Sequence, residues 1–321
     1  MTADVEVGPP AEEISRIAAA LDSTVLAART LAGGYSHQTC LLTLADGAVV
    51  ARFGGADPAV EAAVMDAARR HVPVPEVLLV LPAGAGEQSR PAMVIEYVAG
   101  TPLSEVLASD GFGSAAMAEL GAEVGRVVAG IGAVTYDRPG FFADDRLTVR
   151  EEQPWSAQLP EVAAACMANI PDVRLDPATR AGWLDLCRAY APALVAVDGW
   201  SRLVHADVNP KNILVSRTGG GWRVDAVLDW EFAYSGCPYG DAANMVRFGA
   251  DDPARYVVGF RRGFAEHQPD DLPLVEQWAR LGRILDMFAL SDLVTRPFGN
   301  PVADRAAEVI RDWVADGVPR S

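Results

Sequence analysis

The fold of this chain is decided by residues 203–230, which read LVHADVNPKNILVSRTGGGWRVDAVLDW. Two apolar residues lead into a polar turn that carries Asp207, and Asn212 opens a second apolar run. The three glycines that follow predict a turn, and the next apolar run predicts a returning strand that ends at Asp229. The stretch therefore predicts a hairpin that presents Asp207, Asn212 and Asp229 at the ends of short buried strands, where reactive side chains are commonly placed.

These three side chains have the chemistry of a magnesium site. Two carboxylates and one amide are hard oxygen ligands, and Mg²⁺ usually takes few of these from the protein and completes its shell with water and substrate phosphates. Kinases place a metal-binding Asn five residues after the catalytic Asp, and a second metal-binding Asp on the next strand. Asp207, Asn212 and Asp229 follow that order. A surface hairpin with ordinary Asx turns is the alternative, and it is disfavoured because all three residues and both apolar strands are in register.

The motif HADVNPKN, followed by VLDWE, resembles the aminoglycoside phosphotransferase and choline kinase superfamily, the small-molecule relatives of protein kinases. This resemblance implies that Asp207 is the catalytic base, that Asn212 and Asp229 bind magnesium, and that His205 braces the loop. The next segment, GCPYGD, matches the family pattern G-x-P-x-x-D, which implies that Asp241 anchors the catalytic loop from below.

An arginine stands where the family usually has a lysine. The run VVARF places Arg52 in the position of the V-A-I-K strand, and the only lysine of the chain is Lys211, far away in the sequence. The resemblance implies that Arg52 grips the nucleotide phosphates and pairs with Glu61 on the following helix, and the planar guanidinium suits both partners. The alternatives are a solvating arginine on an edge strand and a solvated glutamate on a helix.

Two further segments match the nucleotide-binding parts of the family. GGYSH, which includes Ser36, has the position of a phosphate-binding loop, although a plain hairpin turn is the alternative. IEYVAG resembles the hinge between two lobes, which implies that the Glu96 carbonyl and the Val98 N–H bind adenine. Glu231 follows the second metal ligand and either contacts substrate or is solvated.

Composition narrows the classes of partner. The 321 residues carry a formal net charge of −16 with a pI near 4.6, which argues against a nucleic-acid binder and favours a cationic ligand. The four cysteines are widely spaced, which predicts reduced thiols without a metal. The N-terminal sequence does not resemble a signal peptide, and no apolar run is long enough to cross a bilayer, so we expect a cytoplasmic protein.

These patterns predict an α+β, bilobal, kinase-like fold. We expect residues 1–98 to form a nucleotide-binding lobe with an antiparallel sheet and one key helix. The hinge lies at about 95–100, and residues 99–321 form a helical lobe with the catalytic loop and acceptor site. An apolar stripe also predicts one long helix over residues 272–294.

The predicted reaction is transfer of the γ-phosphate of ATP (or GTP), with Mg²⁺, to a hydroxyl group of a small molecule. The family resemblance and the acidic chain favour a cationic antibiotic as acceptor, with resistance as the consequence. A metabolic acceptor such as choline, an amino alcohol or a sugar is the second hypothesis, and a nucleotide-binding pseudokinase scaffold is the third. We expect no nucleic-acid or membrane partner, and a monomer or homodimer.

Overall fold

The structure is a computed structural model that describes residues 11–31, 37–55, 57–83, 90–109, 111–249, 252–272 and 274–319. The first part of the described chain contains two helices and five strands. They are α1 Ala11–Ala20, β1 Val25–Thr30, β2 Gln38–Leu44, β3 Gly47–Phe53, α2 Pro58–Ala68, β4 Val77–Leu81 and β5 Ala92–Glu96.

The five strands form one antiparallel sheet in the order β1-β2-β3-β5-β4. Alternate residues of the β2–β3 hairpin point into a buried cluster, so Leu42 lies opposite Val49 with both side chains enclosed. Helix α2 follows β3 after Asp57, which caps the helix by accepting the Ala59 N–H at 3.0 Å. Helix α2 packs against β4 and β5, and its Glu61 forms an ion pair with Arg52 of β3.

The rest of the chain is mostly helical, with short strands inserted. Its elements are β6 Thr101–Pro102, α3 Leu103–Leu107, α4 Ser114–Ile131, β7 Gly140–Phe141, α5 Trp155–Met167, α6 Pro177–Tyr190, β8 Arg202–Val204, β9 Ile213–Thr218, β10 Gly221–Val227, β11 Tyr234–Gly236, α7 Tyr239–Met245, α8 Ala254–Glu266, α9 Trp278–Leu293 and α10 Pro301–Asp316. Short 3-10 turns occupy Ala191–Ala196 and Pro210–Asn212.

Two small sheets hold the residues 203–230 in place. In one, β9 pairs with both β10 and β6; in the other, β11 lies between β8 and β7. The register of β11 with β8 sets Tyr234 opposite Val204, directly before the catalytic loop. The loop therefore begins at the end of one anchored strand, and the predicted second metal ligand follows the end of another.

The predicted α+β fold is confirmed in class, and one helix prediction is wrong in extent. Residues 272–294 do not form a single helix, because α9 begins only at Trp278. Leu274, which the apolar stripe included, is 39% exposed. No helix in the described part of the chain combines the length and hydrophobicity of a membrane span.

Candidate active site

The catalytic loop holds the Asp207 carboxylate from both sides. Asn209 Nδ2 donates to Asp207 Oδ1 at 3.2 Å, and Asn212 Nδ2 donates to Oδ2 at 3.0 Å. Both amides also donate to the main-chain carbonyl of Asp207, at 3.0 and 2.9 Å. Burial raises the pKa of Asp207, and the Arg247 guanidinium opposes that rise. The carboxylate is thus fixed in orientation and has a cation near it that favours its ionised form.

His205 ties the loop to the strand that precedes Asp229. Its buried ring accepts the Asp207 N–H at Nδ1 (3.2 Å), and Nε2 lies 3.0 Å from the Leu228 carbonyl oxygen. Because the carbonyl can only accept, these contacts assign the ring proton to Nε2. Burial lowers the pKa of His205 to about 4, so the ring is neutral near pH 7. A neutral histidine with one donor and one acceptor braces the loop, in the manner that the family resemblance implies.

Asp241, in the first turn of α7, lies beneath the same loop. Its fully buried carboxylate accepts the His205 N–H at 2.8 Å and the Ala206 N–H at 2.9 Å. Ala206 has a left-handed backbone with φ of 67°, and Asn244 Nδ2 donates to its carbonyl at 2.6 Å. Burial raises the pKa of Asp241 to about 7. The unusual turn before Asp207 is therefore held by one carboxylate and one amide of α7.

The two predicted metal ligands are joined through the main chain. The Leu228 N–H donates to the Asn212 carbonyl at 2.8 Å, and Asp229 follows with a left-handed φ of 68°. The Asn212 amide nitrogen is engaged by Asp207, which leaves the side-chain oxygen for another partner. Asp229 uses one oxygen, Oδ1, toward Arg52. An amide oxygen and a carboxylate oxygen thus remain for a cation, and these donors fit Mg²⁺.

Arg52 connects the sheet to the second metal ligand. Its guanidinium donates through Nη1 to the Glu61 carboxylate and through Nη2 to Asp229 Oδ1 at 2.5 Å, and its side chain is 9% exposed. Glu61 Oε1 also accepts the Trp230 N–H at 3.1 Å. Burial alone lowers the pKa of Arg52, but the two carboxylates outweigh it and raise the pKa. Arg52 is therefore a permanently charged bridge between β3, α2 and the segment after β10.

His37 was not singled out by the sequence and lies in the same cluster. Its Nδ1 is 3.0 Å from Arg52 Nη2 and 3.7 Å from Glu231 Oε1. The ligand atoms of His37, Asp229 and Glu231 lie within 4.8 Å of one another. Burial and the Arg52 charge lower the pKa of His37 to about 4. The Arg52 guanidinium belongs to the same cluster, because its Nη2 contacts both His37 and Asp229.

Two of the predicted nucleotide-binding residues lie at the end of β5 or just after it. Glu96 ends β5, where its N–H donates to the Glu76 carbonyl at 2.8 Å and its carboxylate accepts the Glu76 N–H at 3.2 Å. Val98 lies in the irregular segment between β5 and β6 and is half-buried. Ser36 lies outside the described residues.

A second ion pair close to Asp207 was also missed by the sequence reasoning. Arg247 donates through Nε to both oxygens of Asp286 at 3.0 Å and through Nη2 at 2.6 Å, and both side chains are buried. Arg247 is also close enough to Asp207 for the two charges to interact. The sequence contains a pattern that could have indicated Arg247. The polar residues Asp241, Asn244 and Arg247 are spaced three apart after Pro238, and this spacing places side chains on one face of a helix.

Comparison with known proteins places this geometry in a family. The sequence profile of the phosphotransferase enzyme family matches residues 27–280. No curated protein matches the chain. Among solved structures, aminoglycoside phosphotransferase APH(4)-Ia is similar with a TM-score of 0.71 at 20% identity, over 97% of this chain and 100% of that one.

Two other solved structures have the same fold. The GDP complex of an aminoglycoside 2'-phosphotransferase-IIIa variant is similar with a TM-score of 0.66 at 15% identity, over 95% of this chain and 97% of that one. Macrolide 2'-phosphotransferase MphH from Brachybacterium faecium is similar with a TM-score of 0.59 at 21% identity, over 92% and 97%. The chain belongs to the phosphotransferase enzyme family, which confirms the sequence-based prediction of a phosphotransferase that acts on hydroxyl groups.

Proposed function

We propose that this enzyme transfers the γ-phosphoryl group of ATP to a hydroxyl group of a small molecule. The observation that carries the proposal is the arrangement of the catalytic loop, in which Asp207 is held by two amides while Asn212 and Asp229 keep oxygen atoms for a cation. In this family of reactions the protein contributes mainly positioning and electrostatic stabilisation.

Asp207 is the proposed catalytic base. Its carboxylate orients the acceptor hydroxyl and takes its proton as the hydroxyl oxygen attacks the γ-phosphorus. A bond forms between that oxygen and the phosphorus, and the bond from the γ-phosphorus to the β–γ bridging oxygen breaks. The bridging electron pair leaves with ADP. The interaction of Asp207 with Arg247 favours the ionised carboxylate at the start of the reaction.

Nucleotide binding is proposed for the cleft between the two lobes, which we place at residues 1–98 and 99–321 with the hinge at about 95–100. Asn212 and Asp229 would hold Mg²⁺, which neutralises charge on the phosphates when bound. Arg52 and Ser36 would contact the phosphates, and the main chain of Glu96 and Val98 would contact the base. Support for a nucleotide comes from the similar solved structures, one with ADP and hygromycin B and one with GDP.

The acceptor we propose is a hydroxylated antibiotic, with resistance as the consequence. Enzymes with this fold include aminoglycoside and macrolide phosphotransferases by name. The sequence-based preference for a cationic acceptor rests on the family resemblance and the net charge of −16, and a similar solved structure contains hygromycin B. Of the acidic residues between α8 and the end of α9, Asp271 and Asp286 are paired with arginines, and Asp270, Glu276 and Asp292 are exposed.

The test is ATP turnover with aminoglycosides, macrolides, choline and sugars, with the Asp207→Asn variant as control. We expect at least one hydroxyl compound to be phosphorylated by the native enzyme and turnover to fall by about 10²- to 10⁴-fold in the variant. Binding of a non-hydrolysable ATP analogue, followed by thermal shift, is expected to persist in both. ATP binding without phosphorylation of any acceptor would favour the scaffold hypothesis instead.

We also propose a cytoplasmic location and a monomer or homodimer. The location follows from the proposed reaction, since ATP and Mg²⁺ are both abundant in the cytoplasm.

A further inference from the structure

A group of buried arginines lies next to the Arg247–Asp286 pair. Arg283 is one helical turn before Asp286 on α9, and its Nη2 donates to the Val246 carbonyl at 3.2 Å. The residue is 9% exposed. Its Nε and Nη1 make no hydrogen bond within the described residues, and neither atom is completely shielded from solvent.

Arg283 has no carboxylate within ion-pair distance among the described residues. Asp286 interacts with it electrostatically, but the oxygens of Asp286 are engaged by Arg247. Burial lowers the pKa of Arg283, since its charge is desolvated without a close partner. A buried charge that lacks a partner is costly, and proteins retain such groups mainly where they serve a ligand or a switch.

The surrounding charges are also predominantly positive. Arg261 on α8 is half-buried, has no hydrogen bond or ion pair with any described residue, and lies close enough to Arg283 for their charges to repel. Arg283 thus interacts electrostatically with two cations, Arg247 and Arg261, and with one carboxylate, Asp286, which is already paired with Arg247. A polycation would add repulsion here, whereas an anion would supply the missing partner.

We propose that Arg283, supported by Arg261, binds a carboxylate or phosphate group of the acceptor, so that the enzyme selects an acidic hydroxyl compound over a cationic one. The inference rests on the proposed function and specifies the acceptor of that site. The acidic group would lie at Arg283 while the hydroxyl of the same molecule faces Asp207. Arginine is suited to this role because its planar fork can donate two parallel hydrogen bonds to such a group.

The nucleotide phosphates are the other anions that these arginines could serve, and the geometry disfavours them. The groups assigned to the phosphates, Arg52 and the metal ligands, lie at the side of the site formed by the sheet. Arg283 instead contacts the end of α7 from α9, and Arg247 separates it from Asp207. The alternative is a purely structural role, in which Arg283 only donates a hydrogen bond to the end of α7. The experiment must distinguish this role from anion binding.

The test uses three probes that share one sugar ring and differ in charge: D-glucuronate, D-glucose and D-glucosamine. Acceptor-dependent ADP release is measured with the native enzyme, Arg283→Met and Arg283→Lys. We expect glucuronate to have the highest kcat/KM. Arg283→Met should raise its KM about 10- to 100-fold with a smaller change in kcat, and leave the values for glucose unchanged. Arg283→Lys should recover part of the loss.

Arg262→Met is the matched control, because Arg262 is an exposed neighbour on the same helix as Arg261. It should behave like the native enzyme. Thermal unfolding of each variant shows whether folding is kept, and a structural role alone would lower stability while changing all three probes equally. Equal or better use of glucosamine, or an equal loss for every probe in Arg283→Met, overturns the proposal while the phosphotransferase function stands.

Binding by calorimetry separates the two proposals if no sugar is phosphorylated. Glucuronate is titrated into the enzyme loaded with a non-hydrolysable ATP analogue. Binding that exceeds that of glucosamine and disappears in Arg283→Met supports the anion site even where turnover fails. Failure of glucuronate to bind overturns it.

Discussion

The buried carboxylate of Asp241 gives a prediction whose size follows from the structure. Its pKa is raised to about 7 by burial, from an ordinary value of 3.8, although two main-chain N–H groups donate to it. A carboxyl with a raised pKa binds its proton more tightly in the folded state than in the unfolded state. The native enzyme therefore loses stability from this group as the pH rises from about 4 to about 7.

The Asp241→Asn substitution removes that titration but keeps the size of the side chain. From the two pKa values, the native enzyme should lose about 2 to 3 kcal/mol more than the variant between pH 5 and pH 8. At both pH values the variant should also lack one hydrogen bond, because its NH₂ group faces a main-chain N–H. An unsatisfied buried donor of this kind costs about 1 to 3 kcal/mol. The gap between the two proteins should therefore narrow as the pH rises.

The assay is urea unfolding of native enzyme, Asp241→Asn and Asp312→Asn at both pH values. Asp312 is exposed on α10, so its variant reports any general effect of removing one charge. Unfolding free energies of native enzyme and Asp241→Asn that change in parallel with pH would refute the reasoning. That result would mean that the two main-chain N–H donors stabilise the Asp241 anion enough to cancel the effect of burial on its pKa.

Other changes test the remaining parts of the site. Arg52→Met should lower kcat/KM for ATP by about 10³-fold, because the Glu61 and Asp229 carboxylates lose the cation that lies between them. Arg52→Lys should restore only part of this kcat/KM, since a lysine ammonium lacks the planar fork with which arginine contacts both carboxylates. Steady-state kinetics with varied ATP would show equal losses in both variants if position 52 serves folding alone. EDTA should abolish transfer, and added Mg²⁺ should restore it. Asn212→Ala should raise the Mg²⁺ concentration for half-maximal activity by about 10-fold or more, and an unchanged metal requirement would remove this residue from the metal site.

The sequence was sufficient for the parts of the site that are local in the chain. Asp207 and Asn212 are only five residues apart in one loop, and the side chain of Asn212 donates directly to Asp207. The strands β4 and β5 and the cap of α2 were also predictable, because short apolar runs and an Asp-Pro pair are local signals. The false extension of α9 shows the limit, since an apolar stripe continues through residues that the helix does not include.

Residues that are distant in the chain needed the fold. His37 reaches Arg52 and Glu231 only because the sheet lies against the segment after β10, and no spacing in the sequence relates them. Arg283 and Arg247 are 36 positions apart. They share one environment because α7 and α9 pack together. Arg283 therefore donates to the Val246 carbonyl, and Arg247 donates to the Asp286 carboxylate.

The amino-acid sequence by itself determined the class of fold, the catalytic loop and the presence of an arginine at the lysine position, because each depends on residue types at short, fixed separations. Only the tertiary structure decided which charges meet. The pairing of Arg52 with Asp229, the support of the loop by Asp241 and the lack of a carboxylate at ion-pair distance from Arg283 among the described residues result from the packing of helices and strands. Net charge is summed over the whole chain, whereas a bound group responds most to the charges closest to it, and only the fold decides which charges those are.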